Sequence, residues 1–148
     1  MQLGPCTDSD SIAAIYLASR KAYLPYAPLA HRDTAIYSWV AEVLIKTNRI
    51  VAASKNSEVY GFIATASEGG KQWINHLYIH PLHTGLGIGS ALLEYALAQM
   101  PRPVYLYTFQ ANSGARRFYE RYGFLALEFS DGSGNEEGCP DVLYALNK

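Results

Sequence analysis

Apolar positions recur at helical spacing in four segments of this chain, and residues typical of helix caps bound these segments. In the second segment, Ile36, Val40 and Val43 form the predicted inward face. The predicted helices are residues 8–23, a segment capped near Asp33 or Thr34, the run that follows Gly89 and stops before Pro101, and residues 112–123.

Short apolar runs predict six strands, with turn residues between them. The sequences KNSE and EGGK, which separate the first three runs, are typical of hairpin turns. The predicted strands are residues 49–54, 59–66, 72–79, 104–109, 124–129 and 141–146. The predicted order is two helices, three strands, a helix, a strand, a helix and two strands, without a repeat or a linker. We therefore expect one α/β domain over residues 1–148, with a central mixed sheet and helices on both faces.

The composition argues against several classes of binding partner. The net charge is −1 and no basic run occurs, which argues against nucleic acid. Cys6 and Cys139 stand alone, so neither a zinc site nor a disulfide framework is indicated. No run approaches the roughly 20 apolar residues that span a bilayer, and the first residues lack the pattern of a signal peptide. We expect a cytoplasmic protein with no membrane partner.

Three glycines at alternate positions precede the third helix: Gly85, Gly87 and Gly89. A helix N-terminus has unpaired backbone N–H groups that favour an anion, and glycine lets a phosphate approach them closely. Ser90 adds a hydroxyl at the same place. A tight connector without a ligand is the alternative, but it does not need three glycines. The run lacks the Lys of a P-loop, and Leu92 replaces the last glycine of a dinucleotide fingerprint.

Two motifs in this order resemble the GCN5-related N-acetyltransferase (GNAT) family. They are IHPLHTGLGIGSALL, in residues 79–93, and NSGARRFYERYGF, in residues 112–124. The resemblance implies the GNAT-like acyl-CoA N-acyltransferase fold and an acetyl-CoA site. Thr84 departs from the family pattern, which usually has Gln or Arg at this position.

The resemblance also implies a role for each residue that matches a motif. The pyrophosphate of acetyl-CoA would lie on the amides of the glycine loop, and the pantetheine arm would pair with the strand before it. Asn112 would contact the pantetheine or position its helix, and Tyr119 would lie beside the thioester sulfur. The predicted cofactor-binding residues are Leu77, Tyr78, Ile79, Thr84, Gly85, Leu86, Gly87, Ile88, Gly89, Ser90, Asn112 and Tyr119.

The expected reaction is attack of a primary amine on the thioester, through a tetrahedral intermediate. It needs an acid for the leaving thiolate, and the resemblance implies that Tyr119 serves, although a core aromatic would show the same spacing. His76 has an ordinary pKa near 6.5 that suits a general base, but it could equally pack on the sheet. His76 and His80 would lie about 13 Å apart on a strand, so we expect no metal site.

The acceptor side is predicted from aromatic and acidic residues. Tyr23, Tyr26 and the segment 25–31 would wall the cleft, and an acidic loop with Glu136 and Glu137 would attract a cationic amine. A small molecule and a protein amine both remain open, and the family resemblance makes a homodimer possible. The competing function is an acetyl-CoA-binding sensor without catalysis.

Overall fold

The computed structural model describes residues 1–27 and 31–148, and these form one seven-stranded mixed sheet with helices on both faces. The strands are β1 Gln2–Pro5, β2 Arg49–Lys55, β3 Glu58–Glu68, β4 Lys71–Ile79, β5 Val104–Phe109, β6 Leu125–Ser130 and β7 Asp141–Leu146. The helices are α1 Ser9–Tyr23, α2 Asp33–Trp39, α3 Ile45–Thr47, α4 Ile88–Leu97 and α5 Ser113–Arg121. The predicted α/β architecture is confirmed.

Strand β1 is absent from the prediction. Its four residues include Gly4 and Pro5 and give no alternation that indicates a strand. The segment becomes a strand because it pairs antiparallel with β2, from Gln2 opposite Ser54 to Pro5 opposite Val51. The sheet order is β1-β2-β3-β4-β5-β7-β6.

Two hydrophobic cores lie on opposite faces of the sheet. Helices α4 and α5 cover one face, where Leu92, Leu93 and Phe124 are almost fully buried. Helices α1 and α2 cover the other face, where Ile12 and Phe62 have no exposed surface. Because α1 and α2 pack over β2, β3 and β4, the second core does not extend to β5, β7 and β6.

The second predicted helix contains an irregularity that changes which residues face inward. Between α2 and α3, Val40–Leu44 form a π-helical turn. The wider turn rotates the residues that follow it relative to an α-helix. Leu44 is therefore buried, whereas Val43 is 45% exposed. The prediction that Val43 faces inward was wrong.

Strands β4 and β5 separate at the centre of the sheet. They run parallel and pair only at Gln72 with Val104 and at Trp73 with Tyr105. The register between β3 and β4 shifts at Ala64/Thr65, so Asn75 has no partner there. Such a bulge bends a strand and ends its regular pairing. Beyond Trp73, the edge of β4 that faces β5 therefore has no strand partner within residues 1–27 and 31–148.

Candidate functional site

A cleft of about 740 Å³ opens where β4 and β5 separate. It passes between the two faces of the sheet, because Tyr119 of α5 borders it on one face and Arg20 of α1 on the other. The separation of two strands thus produces a cavity that opens toward both layers of helices.

The glycine loop ends at one of the longer helices, α4, which begins without a side-chain cap. Gly87 is its N-cap residue, and the first intrahelical bond runs from the N–H of Ala91 to the carbonyl of Gly87. The amides of Ile88, Gly89 and Ser90 are therefore free of helical partners. By contrast, Asp8 caps α1 and Asn112 caps α5. The start of α4 keeps its donors available for an anion.

Two of the three glycines in this loop have a backbone conformation that favours glycine. Gly85 has φ +79° and Gly87 has φ +77°, and a Cβ at either position would meet only open space. Gly89 has ordinary helical backbone, and a Cβ there would lie 3.8 Å from Phe118 Cζ, a normal contact distance. The loop therefore needs glycine for conformation at two positions and not at the third.

The hydroxyl of Thr84 makes hydrogen bonds to two neighbouring residues. Its hydroxyl lies 3.3 Å from the carbonyl of Pro81 and 3.3 Å from the hydroxyl of Tyr23. Tyr23, predicted as a wall of the acceptor cleft, therefore contacts the glycine-loop side and does not line the cleft. This contact links the end of α1 to the residue that precedes the glycine loop.

Asn112 and Tyr119 both belong to α5 and both line the cleft. The Asn112 side chain accepts a hydrogen bond of 3.1 Å from the N–H of Ala115, so it caps the helix. Tyr119 is 7% exposed, and burial together with the nearby phenol of Tyr78 raises its pKa above the ordinary value of 10.0. A phenol in this environment stays protonated and able to donate.

His76 lies among aromatic rings and also borders the cleft. The rings of Tyr16, Trp39 and Tyr78 surround it, with centroids 5.6 to 5.9 Å away. Its Nδ1 is buried and has no hydrogen-bond partner within the described chain. Burial, aided by the charge of Arg20, lowers the pKa of His76 from 6.5 to about 4. These surroundings favour packing and argue against the predicted general base.

The acidic loop does not present its charges freely. Glu137 borders the cleft, but its carboxylate is 3.0 Å from Nη2 of Arg20, a guanidinium that is 5% exposed. Glu136 pairs with His31 at the surface and does not line the cleft. The prediction that Glu136 and Glu137 together attract the acceptor therefore has to account for the side chain that each carboxylate already contacts.

Tyr26, which was predicted to wall the acceptor side of the cleft, lies beside the cleft lining. Tyr26 does not line the cleft, but its ring packs edge-on against Phe109, which does, and its carbonyl accepts a hydrogen bond from Cys139 Sγ. Residues 28–30 of the predicted wall lie outside the described residues.

Sequence reasoning missed most of the cleft lining, including Arg20, Tyr107 as a wall residue, and Glu128. Arg20 reads as an ordinary cation in the last turn of α1, and its partner Glu137 is 117 residues away. Tyr107 and Glu128 lie on strands whose cleft-facing side is set by register alone. No local signal in the sequence marks these positions.

Metal ligands and membrane spans were considered in the described residues. No group of three or more His, Cys, Asp or Glu side chains there could hold a metal ion. Over the same residues, no helix has the length and apolar character needed to cross a membrane.

Comparison with known proteins gives one consistent family. The model of the acetyltransferase (GNAT) family matches residues 12–124. An uncharacterized N-acetyltransferase of Archaeoglobus fulgidus is 29% identical over 141 residues, which cover 87% of this chain and 94% of that protein.

Solved structures agree on the fold. A PaiA N-acetyltransferase of Thermoplasma acidophilum in complex with coenzyme A has a TM-score of 0.73 at 21% identity, over 100% of both chains. A GNAT-family acetyltransferase of Bacillus cereus has a TM-score of 0.75 at 18% identity, over 99% of this chain and 96% of that one.

Proposed function

This chain belongs to the GNAT acetyltransferase family, and from that premise we propose that it transfers an acetyl group from acetyl-CoA to a primary amine. It is an acetyl-CoA-dependent acyltransferase. The proposal adds that the acceptor is a primary amine, and it assigns a role to individual residues. The observation that carries it is the cleft between β4 and β5, which is bordered by the buried phenol of Tyr119 and by Leu77 and Tyr78, near the end of the strand that leads to the glycine loop.

The residues present fit coenzyme A. The free amides of Ile88, Gly89 and Ser90 suit the pyrophosphate, and the open space over Gly85 and Gly87 leaves room for it. The unpaired edge of β4, including Leu77–Ile79, suits the amide-bearing pantetheine arm, because exposed strand edges pair readily with extended groups. Thr84, Leu86 and Asn112 would complete the predicted set around the cofactor.

When bound, acetyl-CoA supplies the thioester that the amine attacks. We assign Tyr119 as the acid that donates its phenolic proton to the leaving sulfur. It borders the cleft, and its hydroxyl makes no hydrogen bond to any residue that the structure describes. Its raised pKa keeps the proton in place at neutral pH. A backbone N–H of β4 near Tyr78 would polarise the carbonyl.

The charges around the cleft favour a cationic acceptor. Arg20 is the one guanidinium on the described lining, whereas Glu128, Glu137 and Asp141 contribute carboxylates. With His76 held neutral by its lowered pKa, the lining carries a net negative charge. Such a cleft concentrates cations and disfavours acidic acceptors. The homodimer and the cytoplasmic location stay predictions.

A thiol-release assay with a panel of amines tests this function. We expect release of coenzyme A that depends on a primary amine and is faster with cationic amines than with acidic ones. Binding of acetyl-CoA without turnover on any amine of the panel would instead support the sensor function. Mass spectrometry of the product would identify the acetylated nitrogen.

A further inference from the structure

The face of β5, β7 and β6 on the side of α1 and α2 has no helix packed on it within residues 1–27 and 31–148, and it forms a floor on the acceptor side of the cleft. The opposite face of these strands packs against α5, through Val142 and Tyr144. Cross-strand register arranges the residues of the floor in two rows, and all of them line the cleft. The rows are Tyr107–Leu143–Glu128 and Phe109–Asp141–Ser130.

Among the three carboxylates on the described lining, only Glu128 has no partner in the described chain. Glu137 forms the ion pair with Arg20. Asp141 accepts hydrogen bonds from Ser130 Oγ and from Asn135 Nδ2. The carboxylate of Glu128 is exposed and has neither an ion pair nor a hydrogen bond to those residues. It is therefore the negative charge most available to a ligand.

The position of Glu128 separates it from the predicted reacting centre. Tyr107 lies on β5, next to the opening, and Glu128 lies two strands further along the sheet. Two strand spacings correspond to roughly 10 Å between the Cα atoms. The attacking nitrogen must be neutral to react, so a carboxylate at this distance suits a different nitrogen, one that keeps its positive charge.

We propose that Glu128 binds a second, non-reacting ammonium group of the acceptor, so that the substrate is an amine whose second, cationic nitrogen lies roughly 10 Å or more from the nitrogen that reacts. The inference rests on the proposed acetyl transfer and names the class of its acceptor. Leu143, between Tyr107 and Glu128 in the same row, gives the connecting chain an apolar surface. Arg20 does not compete for Glu128, since its guanidinium is held by Glu137.

Kinetics with matched amines test this site. The substrates are linear diamines of increasing length and monoamines with the same number of carbons. We expect KM of the wild-type protein to fall once a diamine is long enough to reach Glu128. Glu128→Gln should raise KM for that diamine about fivefold, because an exposed charge pair is modest in strength, and should raise KM for the monoamine much less, because the monoamine loses only the general attraction of the negative lining. The maximal rate should change less, and the effect should shrink at high salt.

Glu94→Gln is the matched control, since Glu94 is exposed on α4 and does not line the cleft. It should leave both KM values unchanged. Equal kinetics for Glu128→Gln and wild type across the diamine series would overturn the proposal while leaving acetyl transfer intact.

A binding measurement separates failure of this site from failure of the proposed function. Calorimetric titration of the long diamine into protein saturated with coenzyme A needs no turnover. If no amine is acetylated, the proposed function fails, yet weaker diamine binding by Glu128→Gln would still support the site. Equal diamine affinity of the two proteins, or no binding to either, would refute it.

Discussion

At the scale of single residues, burial decides the protonation of the groups around the cleft. The phenol groups of Tyr119 and Tyr78 are shielded from water, and this loss of hydration raises the pKa of each. The same cause lowers the pKa of His76 to about 4. The phenols therefore keep their protons and the imidazole stays neutral, so the cleft contains proton donors and lacks a base matched to neutral pH.

Replacing Tyr119 with Phe tests the proposed acid. We expect turnover to fall about 10²-fold or more, with little change in the affinity for coenzyme A, because only the proton donor is lost. In the wild type the raised pKa predicts that turnover does not decline through loss of this proton up to about pH 10. Steady-state kinetics from pH 6 to 10 and calorimetric binding measure both effects.

Tyr122→Phe is the control, because Tyr122 lies at the end of the same helix and packs on the same core without lining the cleft. Its turnover should match that of wild type. An unchanged rate in Tyr119→Phe would mean that the thiolate leaves without this acid and that Tyr119 only packs.

The buried imidazole of His76 predicts a pH dependence of stability. Its pKa in the folded protein is about 4, below the ordinary 6.5, so only the unfolded chain takes up a proton between these values. Stability is therefore undiminished above pH 6.5 and declines as the pH falls toward 4. The full shift corresponds to about 3 kcal/mol. Chemical unfolding at pH 7.5 and 4.5 should show that His76→Phe loses about 2 kcal/mol less than wild type.

An equal loss of stability in His76→Phe and wild type would contradict this prediction. It would mean that the folded protein accommodates the imidazolium. The variant should fold, because Nδ1 has no hydrogen-bond partner in the described chain that the substitution would remove.

At the scale of elements, the start of α4 differs from the starts of α1 and α5. The latter two are closed by the side chains of Asp8 and Asn112, whereas α4 has Gly87 in the left-handed region and no cap. With glycine at the N-cap, α4 forgoes roughly a few tenths of a kcal/mol relative to a helix capped by Ser, Thr, Asp or Asn. This cost is consistent with donors reserved for an anion.

Gly87→Val should lose coenzyme A affinity by at least tenfold and stability by about 1–2 kcal/mol, because a β-branched residue is strained at φ +77° and its side chain occupies the open space. Gly87→Asn tolerates this conformation better, so it should keep more stability while still losing affinity. Calorimetry and denaturant titration separate the two effects.

Gly70→Val is the control for strain alone. Gly70 also has φ +77°, and a Cβ there would likewise meet only open space, but it lies in the β3–β4 turn, away from the glycine loop. The variant should lose stability and keep its affinity for coenzyme A. Retained affinity in both Gly87 variants would remove the anion site from the proposal.

At the scale of the whole molecule, a partly buried ion pair links α1 to the β6–β7 loop across the cleft. Arg20 Nη2 on α1 donates to Glu137 in the β6–β7 loop and to the carbonyl of Ala27. Cys139 Sγ donates to the carbonyl of Tyr26 beside it. These contacts hold the β6–β7 loop against the segment that follows α1, and so they shape the acceptor side.

Arg20→Met should destabilise the protein by about 3 kcal/mol, because removing one partner leaves the other charge poorly compensated. Adding Glu137→Gln should cost less than the sum of the two single changes, since both act on one pair. Lys21→Met is the control: its pair with Asp33 is more than half exposed, so we expect a change within about 0.5 kcal/mol. Urea unfolding of these variants and the wild type measures the differences. Additive effects would show that the pair is not coupled.

The sequence by itself determined the family, the α/β class and most of the elements. Six of the seven strands follow from period and turn residues, because those signals are local. The glycine loop before α4 also follows, since a left-handed conformation at Gly85 and Gly87 restricts the residue type directly. The sequence also predicts Asn112 as a cap, because an Asn side chain can accept a hydrogen bond from a backbone N–H at a helix start. The structure confirms that it caps α5.

Only the tertiary structure decided the features that depend on contacts between distant segments of the chain. β1 exists because β2 pairs with it, and the π-helical turn moved Val43 outward. Arg20 meets Glu137 across 117 residues, and the aromatic rings around His76 come from three different elements. Glu128 reaches the cleft through register and strand order. Local sequence encodes backbone preference, whereas burial, charge pairing and register arise only once remote segments meet in the folded chain.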